Sequence, residues 1–307
     1  ALIAKALLPP GSKVLLPAYH CPALVEPFVW AQCDIDFYPL NSDLSPDIGA
    51  MAAKLSSAKA VVLVPFFGFD QDIASHVALA RSHDCLPIED LAHAAHATTL
   101  HGDYGVTSLQ KFYPITTGGE LLIASSVSGN EVAECWAATQ VPRWRWIASE
   151  FNRKIRAKLD GGDACHQISR GRFRYFDPDH VGEPMSRKDV EQIFRQDHAR
   201  IAATRRDNYQ MLDKFFKHSQ LGRPLYPCLG PKDVPYVYPF LLEAAEYFDF
   251  IRNAAIPLYR WEEICPSGCQ ISDTYRSRLV QFPCHQDMSD DEIKRLVSKL
   301  AAVEGRL

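Results

Sequence analysis

The sequence has no apolar run that approaches the roughly 18 residues a membrane-spanning helix needs, so no transmembrane segment is expected. It also lacks an excess of charge of either sign: 33 lysines and arginines against 37 aspartates and glutamates leave a formal net charge of -4. Without a global basic footprint, nucleic acid is not an expected partner, and any anion must be bound locally. There is no internal repeat and no low-complexity tract, and a secretory leader is not expected. The nine cysteines are odd in number and irregularly spaced, so they read as reduced thiols rather than a disulfide framework. A cytoplasmic location is the matching expectation.

What is present is the composition of an ordinary globular enzyme, 47% hydrophobic and 23% charged. A chain of 307 residues can bury about three quarters of its unfolded surface, as two domains or one large α/β unit. Strand-like runs at 14–16, 34–38, 60–64 and 86–89 alternate with helical segments at 22–31, 46–55 and 72–82. That alternation predicts a doubly wound, mostly parallel sheet whose sites gather at the C-terminal ends of the strands. Beyond it, 141–159 reads as a basic amphipathic helix, and Arg170, Arg172 and Arg174 alternate as on one face of a strand, where they could meet a diphosphate. From the capping Ser186 a long helical stretch follows, then strands at 236–242 and 256–259, a helix at 248–255 between them and a closing helix at 290–303. The predicted division is 1–130, an α/β domain; 131–183, an insertion; and 184–307, a smaller α+β domain.

The stretch from Leu86 to Ser126 carries the chemistry. A short apolar run ends in the paired acids Glu89 and Asp90, and a second run ends in Ser108-Leu109-Gln110-Lys111. An acid closing one strand, with a serine and a lysine closing the next, are the groups that pyridoxal 5'-phosphate (PLP) requires: an amine for a Schiff base, a carboxylate for the pyridinium nitrogen, and a hydroxyl for the phosphate. The runs Ile88-Glu89-Asp90-Leu91-Ala92-His93, Gly102-Asp103-Tyr104-Gly105-Val106-Thr107-Ser108 and Gly118-Gly119-Glu120-Leu121-Leu122 resemble the DegT/StrS-type sugar aminotransferases, a branch of the fold-type-I PLP enzymes. Gly11 to Tyr19, Val64 to Gly68, Pro184-Met185-Ser186 and Phe282 to Ser289 extend the likeness to most of the chain.

The resemblance implies a fold-type-I PLP-transferase-like sheet and transfer of an amino group to a nucleotide-linked keto sugar by a homodimer. It implies Lys111 and Asp90 as catalytic residues, with His93 near the cofactor's phenolic oxygen, Ser108 on its phosphate, and Tyr19 or His20 stacked on its ring. It also implies a strand and a Ser-Gly-Thr loop ahead of the first helix, so the chain is expected to be N-terminally incomplete. Two registers compete for the lysine. Counting from Ser108 without a gap puts Tyr113 in its place; anchoring on Gly118-Gly119 puts Lys111 there. Two other readings stand beside this one. One is a zinc-dependent hydrolase in which His93 and His96 are joined by His101 or Asp103. The other is a non-catalytic relative that binds a sugar nucleotide or scaffolds an assembly. Cys265, Cys269 and Cys284-His285 match no common zinc spacing and read as core or loop thiols.

Overall fold

Continuous apolar runs at 14–16 and 60–63 form two strands whose side chains are buried on both faces, as a central parallel strand demands. The computed structural model describes residues 1–96, 99–116, 118–140 and 173–306. The first sheet comprises β1 (Lys13–Pro17), β2 (Asp34–Tyr38), β3 (Ala60–Leu63), β4 (Leu86–Leu91), β5 (Tyr104–Thr107) and β6 (Leu121–Ile123), in the order β2-β1-β3-β4-β5-β6. All neighbours are parallel except β5 and β6. The order changes direction at β1, which lies between β2 and β3, and open sheets of this kind hold ligands outside the carboxyl ends of the strands near such a switch.

The helices of this layer begin where local chemistry allows. Helix α1 (Leu2–Leu7) precedes β1, and α2 (Pro22–Trp30) starts on Pro22, whose missing N–H costs nothing in a first turn. Helix α3 (Ile48–Leu55) is capped by Asp47, whose carboxylate accepts the Ala50 N–H at 3.0 Å, so Pro46 stands just outside the helix rather than in its first turn. Helix α4 (Ile73–Ser82) leads into β4, and α5 (Asn130–Thr139) packs against α1.

The second sheet is antiparallel: β7 (Gly222–Pro224), β8 (Val237–Leu242) and β9 (Leu279–Pro283), with β8 central and wholly buried. The stretch after Ser186 is two helices, α6 (Arg187–Phe194) and α7 (His198–Phe216), because Asp197 caps a new start by accepting the Arg200 N–H at 2.9 Å. Helix α8 (Tyr247–Asn253) follows. Residues 256–259, expected as a strand, make only an isolated bridge from Tyr259 to Gln281, and α9 (Gln270–Arg278) is a helix the periodicity did not reveal. Helix α10 (Asp290–Glu304) closes the chain behind a reciprocal Ser289–Glu292 capping box. Among the described residues no helix is long and apolar enough to cross a membrane. The basic stretch 141–159, Arg170 and Arg172 lie outside the described residues.

Candidate active site

Strand alternation separates the paired acids. Glu89 is buried, and its carboxylate accepts the backbone N–H groups of His101, at 2.6 Å, and Gly102, which makes it the anchor of the loop entering β5. Asp90, one residue on, faces the other way. One carboxylate oxygen accepts the Ala92 N–H at 2.9 Å. Burial pushes its pKa up, and the neighbouring Lys111 ammonium and the Ala92 bond pull it back.

Lys111 ends the 3-10 turn Leu109–Lys111 that follows β5. Its side chain is half-buried, with Nζ 5.5 Å from the centroid of the Tyr236 ring, and it makes no hydrogen bond or ion pair among the described residues. Burial lowers its pKa, opposed by the charges of Asp90 and Cys21. Tyr113, the competing position, points elsewhere: its ring is buried and its hydroxyl lies 2.7 Å from His198 Nδ1. The two registers are thus separated by the turn itself, which brings Lys111, and not Tyr113, to Asp90.

His93 stacks between Phe67 and Tyr236, with centroids 5.6 and 4.8 Å away and planes within 9°. Burial first, and Lys111 second, hold its pKa well below the usual value, so the ring is neutral. Its Nδ1 accepts the Phe67 N–H at 3.4 Å, which leaves the proton on Nε2. Phe67 itself has φ 59°, in the left-handed region that bulky residues seldom adopt. Its peptide is held at both ends, since its carbonyl accepts the Tyr236 N–H at 2.8 Å. Gly68 follows at φ 87°, where an added Cβ would collide with the Val234 carbonyl oxygen and lie 2.8 Å from that of His93. Ser108 caps the lysine turn; its carbonyl accepts the Lys111 N–H at 3.1 Å, and its hydroxyl makes no hydrogen bond among the described residues.

Tyr19 and His20 are corrections. Tyr19 is fully buried, stacked on Trp261 at 4.9 Å and 23° and edge-on to Tyr275, so its ring is core rather than a cofactor platform. His20 is also buried and stacks on Phe37 at 4.8 Å. Its Nδ1 lies 3.1 Å from the carbonyls of Pro17 and Ala18, its Nε2 accepts the Cys265 N–H at 3.3 Å, and burial lowers its pKa to about 4. Cys21 is the residue of this segment whose charge couples to both Lys111 and Asp90, at the start of α2. The zinc set is not assembled either. His93 is held by Phe67, Asp103 is paired with Arg81 at 2.6 Å, and His96 packs beside Phe112, Tyr113 and His198. Among the described residues no three His, Cys, Asp or Glu side chains are placed to hold a metal. Arg174 is spent on Glu263, at 2.5 Å, while its N–H and that of Tyr175 bind the buried Glu26 carboxylate at 2.9 and 2.7 Å.

Tyr236 and Phe67 carry no site signal in the sequence, because the turn Phe66–Gly68 is what brings them to His93. The paired unusual backbone at Phe67-Gly68 left a trace in sequence only as a glycine after a strand. No family model matches the sequence, and no curated protein matches it. Solved structures do. The aminotransferase TlmJ from Streptoalloteichus hindustanus is 17% identical, with a TM-score of 0.71 over 99% of this chain and 82% of that one. A DegT DnrJ EryC1 StrS aminotransferase from Brucella abortus is 15% identical, with a TM-score of 0.68 over 99% and 82%. Helicobacter pylori PseC, an aminotransferase involved in the biosynthesis of pseudoaminic acid, is 13% identical, with a TM-score of 0.72 over 100% and 84%. At such identities the likeness is one of architecture, and across nearly its whole length this chain has the fold of the DegT/StrS-type sugar aminotransferases.

Proposed function

We propose that the protein is a PLP-dependent aminotransferase that transfers an amino group from a small-molecule donor to a keto sugar, nucleotide-linked, in polysaccharide or glycoconjugate synthesis. The carrying observation is the convergence of the Lys111 amine, the Asp90 carboxylate and the neutral His93 ring at the carboxyl ends of β4 and β5, around Tyr236. The groups present fit the cofactor: an amine, a hydroxyl on Ser108 and an imidazole Nε2 that spend no hydrogen bonds on the described protein, beside a carboxylate with acceptor capacity to spare.

When bound, PLP supplies the electron sink for the carbon that carries the migrating amine. Lys111 is the attachment point, since burial raises the share of its amine that is neutral and nucleophilic. Lys111 Nζ would then serve as the base that takes a proton from the donor's α-carbon and as the acid that gives it back. Asp90, whose pKa burial raises and the Lys111 amine and the Ala92 N–H pull back, would hold the proton on the ring nitrogen. His93 would donate from Nε2 to the phenolic oxygen, and Ser108 Oγ–H would donate to the phosphate. The assembly is a homodimer, and the reduced thiols of Cys21, Cys33, Cys85, Cys135, Cys228, Cys269 and Cys284 support a cytoplasmic setting.

The test is direct. Protein mixed with PLP is expected to gain a visible absorbance band, and borohydride is expected to fix the cofactor on the peptide that contains Lys111. Lys111→Ala should lose both. An adduct retained in that variant assigns the chemistry to another lysine, and none in the wild type leaves the non-catalytic reading.

A further inference from the structure

A guanidinium lies buried directly behind the lysine turn. Arg205, on α7, is 1% exposed, and among the described residues no carboxylate is bonded to it. Its donors go to neutral oxygens: Nε to Gln286 Oε1 at 2.8 Å, Nη1 to the carbonyls of Pro235 at 3.1 Å and Tyr236 at 3.0 Å, and Nη2 to the carbonyl of Lys111 at 3.4 Å. The plane also lies 4.6 Å from the centroid of the Phe112 ring. Gln286, from the turn between β9 and α10, completes the clamp by donating from Nε2 to the Phe112 carbonyl at 2.7 Å. Burying a charge without a counter-charge is costly, and such a group persists where its hydrogen bonds fix something of use.

What this one fixes is the backbone of two residues whose side chains meet in the site. The rigid fork ties the carbonyl of Lys111, on the turn after β5, to that of Tyr236, which enters β8; beyond the fork Lys111 Nζ lies over the Tyr236 ring. We propose that Arg205, with Gln286, is a positioning residue that sets the Lys111 side chain against Tyr236 and Asp90, linking the second sheet to the reactive amine of the first. The proposal rests on the reading of Lys111 as the cofactor-attaching amine.

The expected consequence is a change in the amine's environment. The groups that face Lys111 are Asp90 on β4, Cys21 at the start of α2, His93 after β4 and the Tyr236 ring. If the fork is lost, Lys111 relaxes toward solvent and its pKa moves toward the ordinary lysine value of about 10.4. The experiment uses cofactor-free protein, labelled with fluorodinitrobenzene from pH 7 to 11 and read at the Lys111 peptide by mass spectrometry. Removing a positive charge would by itself raise the Lys111 midpoint, so the charge-preserving Arg205→Lys is the deciding variant and Arg205→Met its companion. Both are expected to raise the midpoint by about one unit, a tenfold change in the equilibrium. A lowered melting temperature with an unmoved midpoint would make Arg205 merely structural, and a shift in Arg205→Met alone would make its role one of charge; either overturns the proposal. Should the arginine variants not fold, Gln286→Ala is expected to move the midpoint the same way by less, and no movement there overturns it. Failure of borohydride to fix PLP on wild-type Lys111 removes the cofactor reading by a separate route, since the labelling needs no cofactor.

Discussion

The behaviour of Lys111 follows from competition between burial, which disfavours the ammonium, and the neighbours Asp90 and Cys21, which favour it. Its folded pKa is lowered, with burial the largest cause and Asp90 and Cys21 opposing. A lowered lysine pKa means that the unfolded chain binds the proton more tightly. The charged form therefore weakens the fold, and stability rises as pH passes up through the folded value toward the unfolded one. Reaction with the PLP aldehyde should rise over the same window, with a midpoint below that of an ordinary lysine. Asp90→Asn removes the charge that supports the ammonium, so the midpoint is expected to fall further. The same change deprives the cofactor nitrogen of its partner, and transamination should drop on the order of 100-fold or more, the scale of a lost electrostatic contact in an active site. A midpoint that rises in Asp90→Asn would show that the carboxylate does not face this amine.

At the scale of elements, the 3-10 turns after β3 and β5 do more for the site than the strands themselves. The Phe66–Gly68 turn reverses the chain in left-handed backbone, presenting the Phe67 N–H to His93 and its carbonyl to Tyr236. Gly68 cannot be exchanged without displacing Val234 or His93. Gly68→Ala is expected to cost about 2–4 kcal/mol, from overpacking together with a left-handed backbone, and to weaken PLP binding because His93 must shift. Urea unfolding and a PLP titration read the two effects, and a variant as stable as wild type with unchanged affinity would remove this turn from the site. The turn after β5 decides the lysine: its carbonyl at Leu109 accepts both the Phe112 and Tyr113 N–H groups, each at 2.9 Å, and so sends Tyr113 toward His198.

For the whole molecule, the two sheets share one continuous hydrophobic core, from Val14 and Val62 to Phe240 and Phe282. The homodimer we propose is expected to appear as a two-chain species in sedimentation at micromolar concentration with PLP present, and a monomer alone under those conditions would remove it. The sequence by itself determined the parallel layer, because strand-like runs of three to five residues alternating with helical segments leave few other ways to bury both faces. It offered Asp90 through the family-like spacing to Ala92-His93, and the structure commits the neighbouring Glu89 to the loop that enters β5. It did not divide 186–216 at Asp197, nor reveal α9, whose polar surface hides its two buried residues, Ser272 and Tyr275. Only the tertiary structure withdrew Tyr19 and His20 into the core, turned Tyr113 toward His198, and set Tyr236 and Arg205 beside Lys111. Those outcomes depend on contacts between segments more than a hundred residues apart in several cases, such as His20 with Cys265, and no local spacing records which long-range partner will claim a side chain.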